Sequence, residues 1–134
     1  MKKVEKKETL KNLESKVNLK TLSAFADRKI LFRLYNDKKG ASRDRYENYR
    51  FSTNLKDAFI NSFTRNDLVH DTKYNNKIKK LKAIVDIPAY LDINKKNEYL
   101  ELISENKEYI KNNKVDNSII ETISFFEKRL NELK

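Results

Sequence analysis

Ile119, Ile123, Phe126, Leu130 and Leu133 recur at steps of four and three residues. That is the stripe of an amphipathic helix with one buried face. Asp116 and Asn117 precede the stripe, and Ser118 with Glu121 has capping-box spacing. Segment 94–112 repeats the pattern with Tyr99, Ile103, Asn106 and Ile110, and Asn112-Asn113-Lys114 suits a turn between two antiparallel helices. Residues 53–65 predict a third helix. Leu55, Ala58, Phe59, Ser62 and Phe63 lie on one face of it, and Ser52, Thr53 or Asn54 is placed to cap it. Weaker stripes at 5–17 (Leu10, Leu13, Val17) and at 77–85 (Ile78, Leu81, Ile84, Val85) predict two more, the second closed by Pro88.

The stretch 19–52 supports two readings. Leu22, Ala26, Ile30 and Leu34 fit one long helix stopped at Gly40. Yet Ile30, Leu31, Phe32, Leu34 and Tyr35 would make that helix apolar nearly all round, which a strand buried on two sides also explains. In the second reading a helix over 21–28 leads into a hairpin, with Asn36-Asp37-Lys38-Lys39-Gly40 as its turn and Arg45 to Ser52 as its return strand. The second reading is narrowly preferred. The fold expected is therefore mainly α, a small bundle of four or five helices, with one β-hairpin near residues 29–52.

Composition agrees with helices. The chain of 134 residues has one Gly and one Pro, too little turn punctuation for a sandwich or barrel. The length suits a single domain over 1–134, with residues 1–8 expected as a flexible basic arm. Apolar residues make up 38% and charged residues 37%, enough for a core under a heavily charged surface. With no Cys, disulfides, thiolate metal sites and Cys nucleophiles are excluded. No apolar run approaches the ~20 residues of a membrane span, and no apolar stretch of a secretory signal follows the basic N-terminus. A cytoplasmic protein without a membrane partner is expected.

Charge changes the picture more. Thirty Lys and Arg face 20 Asp and Glu, a net of +10. Residues 1–20 and 21–50 each sum to +4, 51–92 to +2 and 93–134 to zero. Such asymmetry suits an anionic partner met by the N-terminal half, although net charge also keeps small proteins soluble. The most suggestive stretch is 38–50, where cations and aromatics interleave. Lys38, Lys39, Arg43, Arg45 and Arg50 are candidate phosphate contacts, Tyr46 a candidate stacking face and Asn48 a candidate hydrogen-bonding partner. Asp44 and Glu47 blunt this charge, and the plain alternative is a solvated turn. Lys2, Lys3, Lys6, Lys7 and Lys11 could track phosphates as an arm or simply solvate a helix end. Lys77, Lys79, Lys80 and Lys82 read as the cationic outer face of a short helix.

Catalytic constellations are missing from the sequence. His70-Asp71 is the only His-Asp pair, and a metal phosphohydrolase needs several such ligands. His70 is expected to be structural or superficial. Asp92-Ile93-Asn94-Lys95 places its Lys one residue late for a nuclease carboxylate-x-Lys pair. Tyr46 and Tyr49 lack the residues that activate a strand-transfer tyrosine, and Gly40 stands alone, so no phosphate-cradling loop is built. No catalytic residue, metal or cofactor is assigned. Asn106 interrupts an apolar stripe, as a core-edge residue touching water or as a register-setting residue in a protein-docking or homodimer face. The expected function is a non-enzymatic nucleic-acid-binding accessory or regulatory protein, binding DNA or RNA through the 38–50 segment. The alternative is a helical protein-binding module, such as a phage or mobile-element inhibitor or adaptor docking on a nucleic-acid-handling enzyme.

Overall fold

The computed structural model describes residues 27–73, 81–86 and 91–133. The expectations for residues 1–8, 5–17, 21–26 and 77–80 lie outside them. The described elements are strand β1 (Ile30–Phe32), helices α1 (Gly40–Tyr49), α2 (Leu55–Ile60) and α3 (Arg65–Lys73), strand β2 (Ala83–Val85), a 3-10 turn (Ile93–Lys95), and helices α4 (Lys96–Asn112) and α5 (Asn117–Glu132). The architecture is mainly α with one small two-stranded antiparallel sheet.

The sheet explains why Ile30–Phe32 is apolar without interruption. Side chains alternate between the two faces of a strand, and here both faces are covered. Ile30 and Phe32, with Ala83 and Val85 from β2, face a first core built with Tyr46, Tyr49, Leu55, Ala58, Phe63 and Leu68. Leu31 and Ile84 face a second core built with Leu34, Leu81 and the stripes of α4 and α5. The register is Ile30↔Val85, Leu31↔Ile84 and Phe32↔Ala83.

The strand at 30–32 falls inside the stretch where a hairpin was expected, but its partner differs. Residues 45–52 do not return as a strand, because Tyr46 and Tyr49, three apart, turn the segment into a helix with one aromatic face. Their rings pack against Phe32 at centroid distances of 6.2 and 5.0 Å, and Tyr49 packs on Phe63 at 4.6 Å. The return strand comes from Ala83-Ile84-Val85, which the periodicity assigned to a helix. β-Branched Ile84 and Val85 suit a strand buried on both sides.

The expected helix at 53–65 is two helices. Asn54 caps α2, its side chain accepting from the Asp57 amide at 2.7 Å. The helix then breaks at Ser62, which has a positive φ of 84°. Thr64 and Asp67 begin α3 by capping each other's amides, both at 3.1 Å. The two C-terminal helices are as expected. Lys107 meets Glu127 and Lys96 meets the Leu133 carbonyl, so α4 and α5 run antiparallel. The N-cap of α5 is Asp116, ahead of the expected Ser118, and it makes no side-chain capping bond.

One edge of β1 is covered by unlike partners. At its start, Ile30 donates to the Thr53 carbonyl and Leu55 donates to Arg28. At its end, Asn106 of α4 acts as a one-residue strand. Its Nδ2 donates to Phe32 O at 2.9 Å and its Oδ1 accepts from Leu34 N at 3.0 Å. Asn106 is fully buried, so it neither touches water nor sits on a docking face. It fastens α4 to the sheet.

Candidate nucleic-acid interface

Residues 34–38 form a strap laid along α1. Arg43, Glu47 and Arg50 recur at steps of four and three, one row of the helix and its C-terminal cap. Asn36 Nδ2 donates to Arg43 O at 3.0 Å and to Glu47 Oε2 at 2.8 Å. Arg43 Nη1 donates back to Asn36 O and Lys38 O, both at 3.3 Å. Arg50 Nη1 donates to Leu34 O, and Arg50 Nη2 lies 3.1 Å from Glu47 Oε1.

This packing sorts the seven candidate residues. Lys38 is buried, its Nζ donating to Asp71 Oδ1 at 2.5 Å and lying 5.1 Å from the Tyr46 ring centroid. Tyr46 is buried too, its hydroxyl donating to Arg33 O at 2.5 Å, so its face is not open to a base. Desolvation raises both the Tyr46 and the Tyr49 hydroxyl well above their ordinary values, the Asp71 charge adding to it. Arg45 makes a two-pronged pair with Asp67, Nε and Nη2 each at 3.0 Å. That hydrogen-bonded pairing, and then the Asp67 charge, raises the Arg45 guanidinium. Burial pushes Asp67 up, but hydrogen bonds from Arg45 and Thr64 outweigh it and hold the carboxyl below its usual range. Arg50 is spent on the strap. Lys39, at the N-cap of α1, and Arg43 and Asn48 within it stay exposed.

Two features of this surface suit an anionic, aromatic ligand. The N-terminus of α1 has no side-chain cap and no acid in its first turn. A helix start of that kind carries partial positive charge on unpaired amides. Gly40 opens the helix at φ 64°, with no atom within 4 Å of where a Cβ would stand. Lys39 and Arg43 flank it. At the other end of α1 the Arg50 guanidinium lies 4.5 Å from the Phe51 ring centroid and 5.4 Å from that of Tyr109. Phe51 is 37% exposed, and Tyr35, next to the Leu34 that Arg50 holds, is 64% exposed. These three aromatics were not among the expected site residues. Their sequence signal was slight, since Tyr35 ends an apolar run and Tyr109 sits off the main stripe of α4.

His70 is exposed, with Nδ1 3.3 Å from Asp71 Oδ1. Asp71 is fully buried and also accepts from the Tyr49 hydroxyl at 2.9 Å. The stripe Ile119, Ile123, Phe126 and Leu130 is spent in the second core. Ile120 and Phe125 remain exposed on α5, but five residues separate them by about 140° around the axis, so they do not make one patch. Among the described residues no helix is long and apolar enough to cross a membrane.

Set against family models, curated proteins and solved structures, the chain finds no match.

Proposed function

We propose that this is a non-enzymatic protein that binds single-stranded nucleic acid along α1. The observation that carries the reading is the uncapped start of α1, flanked by exposed Lys39 and Arg43, on the same element as the aromatic group at Arg50. Phosphates suit the first end and unstacked bases suit Tyr35, Phe51 and Tyr109 at the second. The site is thus proposed as Lys39, Arg43, Asn48, Tyr35, Phe51 and Tyr109. Lys38, Arg45, Tyr46 and Arg50 support it from within. The described residues hold 19 Lys and Arg against 17 Asp and Glu, so +8 of the +10 belongs to segments 1–26 and 74–80 and to Lys134. Those segments supply the long-range attraction.

The test is fluorescence anisotropy with labelled single-stranded and duplex DNA and RNA over a range of salt. Lys39→Glu with Arg43→Glu lowers affinity and flattens the salt slope by about two units. Phe51→Ala costs single strands about 1–3 kcal/mol and duplex less. Arg45→Glu, which breaks a structural pair, leaves the salt slope of the folded fraction unchanged. A parent chain that binds no nucleic acid at physiological salt refutes the reading.

A second reading, a protein-docking module, is favoured by one observation. Tyr, Phe and Arg grouped on a rim of charge is the composition of interface hot spots, and three of the five cations in 38–50 are paired with acids of the same chain. Under that reading a partner is retained after nuclease treatment and is lost with Tyr35→Ala.

A further inference from the structure

Between the two cores lies a seam of buried cations. Arg33 is 4% exposed and Lys82 2%. Both converge on Asp37 of the strap, whose side chain is 31% exposed. Lys82 Nζ donates to Asp37 Oδ1, and Arg33 Nη1 lies 3.5 Å from Oδ2. Arg33 Nη2 donates to Leu81 O at 2.8 Å. Its Nε is buried without a hydrogen bond, and Glu105 Oε1 is 3.9 Å away. A guanidinium has five N–H donors, and burying one with donors unfilled is costly. Burial lowers the Lys82 ammonium, the charges of Lys38 and Arg33 lower it further, and Asp37 opposes them.

The Asp37 carboxylate thus does what two oxygens of an oxyanion would do, one on the ammonium and one facing the guanidinium. A phosphate has further oxygens with which to reach Nε, and its charge is set against two cations, with the Glu105 carboxylate 3.9 Å from Nε opposing it. We infer that Arg33 and Lys82 form an oxyanion socket that takes a phosphate monoester dianion, with Asp37 as its built-in competitor. Asp37 is the solvent-facing member of the seam and sits on a loop, so entry requires movement of the strap and not of either core. The same strap carries Tyr35, so filling the socket shifts the exposed aromatic group.

Inorganic phosphate tests this socket whether or not the chain binds nucleic acid. Asp37→Asn removes the competitor and keeps the shape. Its affinity for phosphate, read by thermal shift against chloride of equal ionic strength, rises at least tenfold over the parent. Adding Lys82→Met abolishes the gain. Oligonucleotides with a 5′-phosphate or a 5′-hydroxyl then separate the sources. Displacement of inorganic phosphate by the phosphorylated strand alone marks a nucleic-acid end as the ligand, and displacement by neither marks a free phosphate. Equal stabilisation of Asp37→Asn with and without Lys82→Met overturns the socket. Should Asp37→Asn fail to fold, amide shifts of Arg33, Asp37 and Lys82 in the parent decide it. Saturable movement with phosphate and not chloride supports the socket, and no such movement overturns it.

Discussion

Asn106→Ala isolates the clip between α4 and the sheet. The substitution removes both partners of the β1 backbone at that point, leaving Phe32 O and Leu34 N buried and unpaired. Each orphaned backbone group costs about 1–3 kcal/mol, so the expected loss is about 2–6 kcal/mol. That is a large share of the 5–15 kcal/mol typical of a domain, and its middle lowers Tm by about 10–20 °C. Urea unfolding followed by circular dichroism measures it: the midpoint falls while the slope m stays constant. Asn106→Leu is the control, since it refills the volume without restoring either bond. Its loss matches or exceeds that of the alanine variant. Hydrogen exchange gives a local readout, because the Leu34 amide loses its Asn106 acceptor and exchanges faster than the amides of β1. Recovery of stability in the leucine variant would show that volume, not bonding, matters at this position. A change below about 0.5 kcal/mol in both variants would refute the clip altogether.

Ile123→Ala and Phe126→Ala, both fully buried in the second core, each cost about 2–5 kcal/mol by urea unfolding; unchanged stability would mean the stripe faces outward. Asp37 is pushed up by burial but held below its ordinary 3.8 by the hydrogen bond and charge of Lys82 and the charge of Arg33, and Asp67 is likewise depressed. Because the folded values lie below the unfolded ones, their contribution is fully present above about pH 4 and is lost as pH falls through the depressed values. A urea midpoint that rises as pH falls through that window would contradict the sign. Ser62→Gly relieves a positive φ at an exposed position and stabilises by about 0.5–1 kcal/mol; a lower thermal midpoint would mean the Ser62 side chain has a role of its own.

The helices at 96–112 and 117–132 were legible because each presents one apolar stripe to one core, the situation that a 3.6-residue period describes. The sheet was half legible. Ile30–Phe32 is apolar on successive residues because opposite cores take alternate side chains, so the run announces a buried strand but not its partner. Ala83-Ile84-Val85 lies more than 50 residues away, and nothing local in either strand encodes that pairing. The candidate site was only partly legible for a related reason. Arg45, Lys38 and Tyr46 look like a basic, aromatic surface as long as Asp67, Asp71 and Arg33 O are unseen, and each of those partners comes from another element. Asn48 stayed exposed because it falls on the side of α1 away from Tyr46 and Tyr49, whereas Arg43 borders their face at the strap and Lys39 precedes the helix.

Strand β1 is three residues long, and the described residues that pair with its backbone all arrive later in synthesis. Pairing with β2 closes a loop of about 50 residues, an entropic cost of roughly 3–4 kcal/mol, and the Asn106 clip spans 74 positions. While the chain emerges from the ribosome, the β2-facing edge of Ile30–Phe32 is open until residue 85 is out, and the other edge, which Thr53 can pair at Ile30, stays open at Phe32 until residue 106 follows. Folding that waits on such distant contacts is slow for a helical protein, and an apolar strand left waiting is a point at which aggregation or chaperone binding begins. A nascent chain with fewer than 85 residues exposed lacks both the partner strand and the clip, and that is the length at which the vulnerability is greatest.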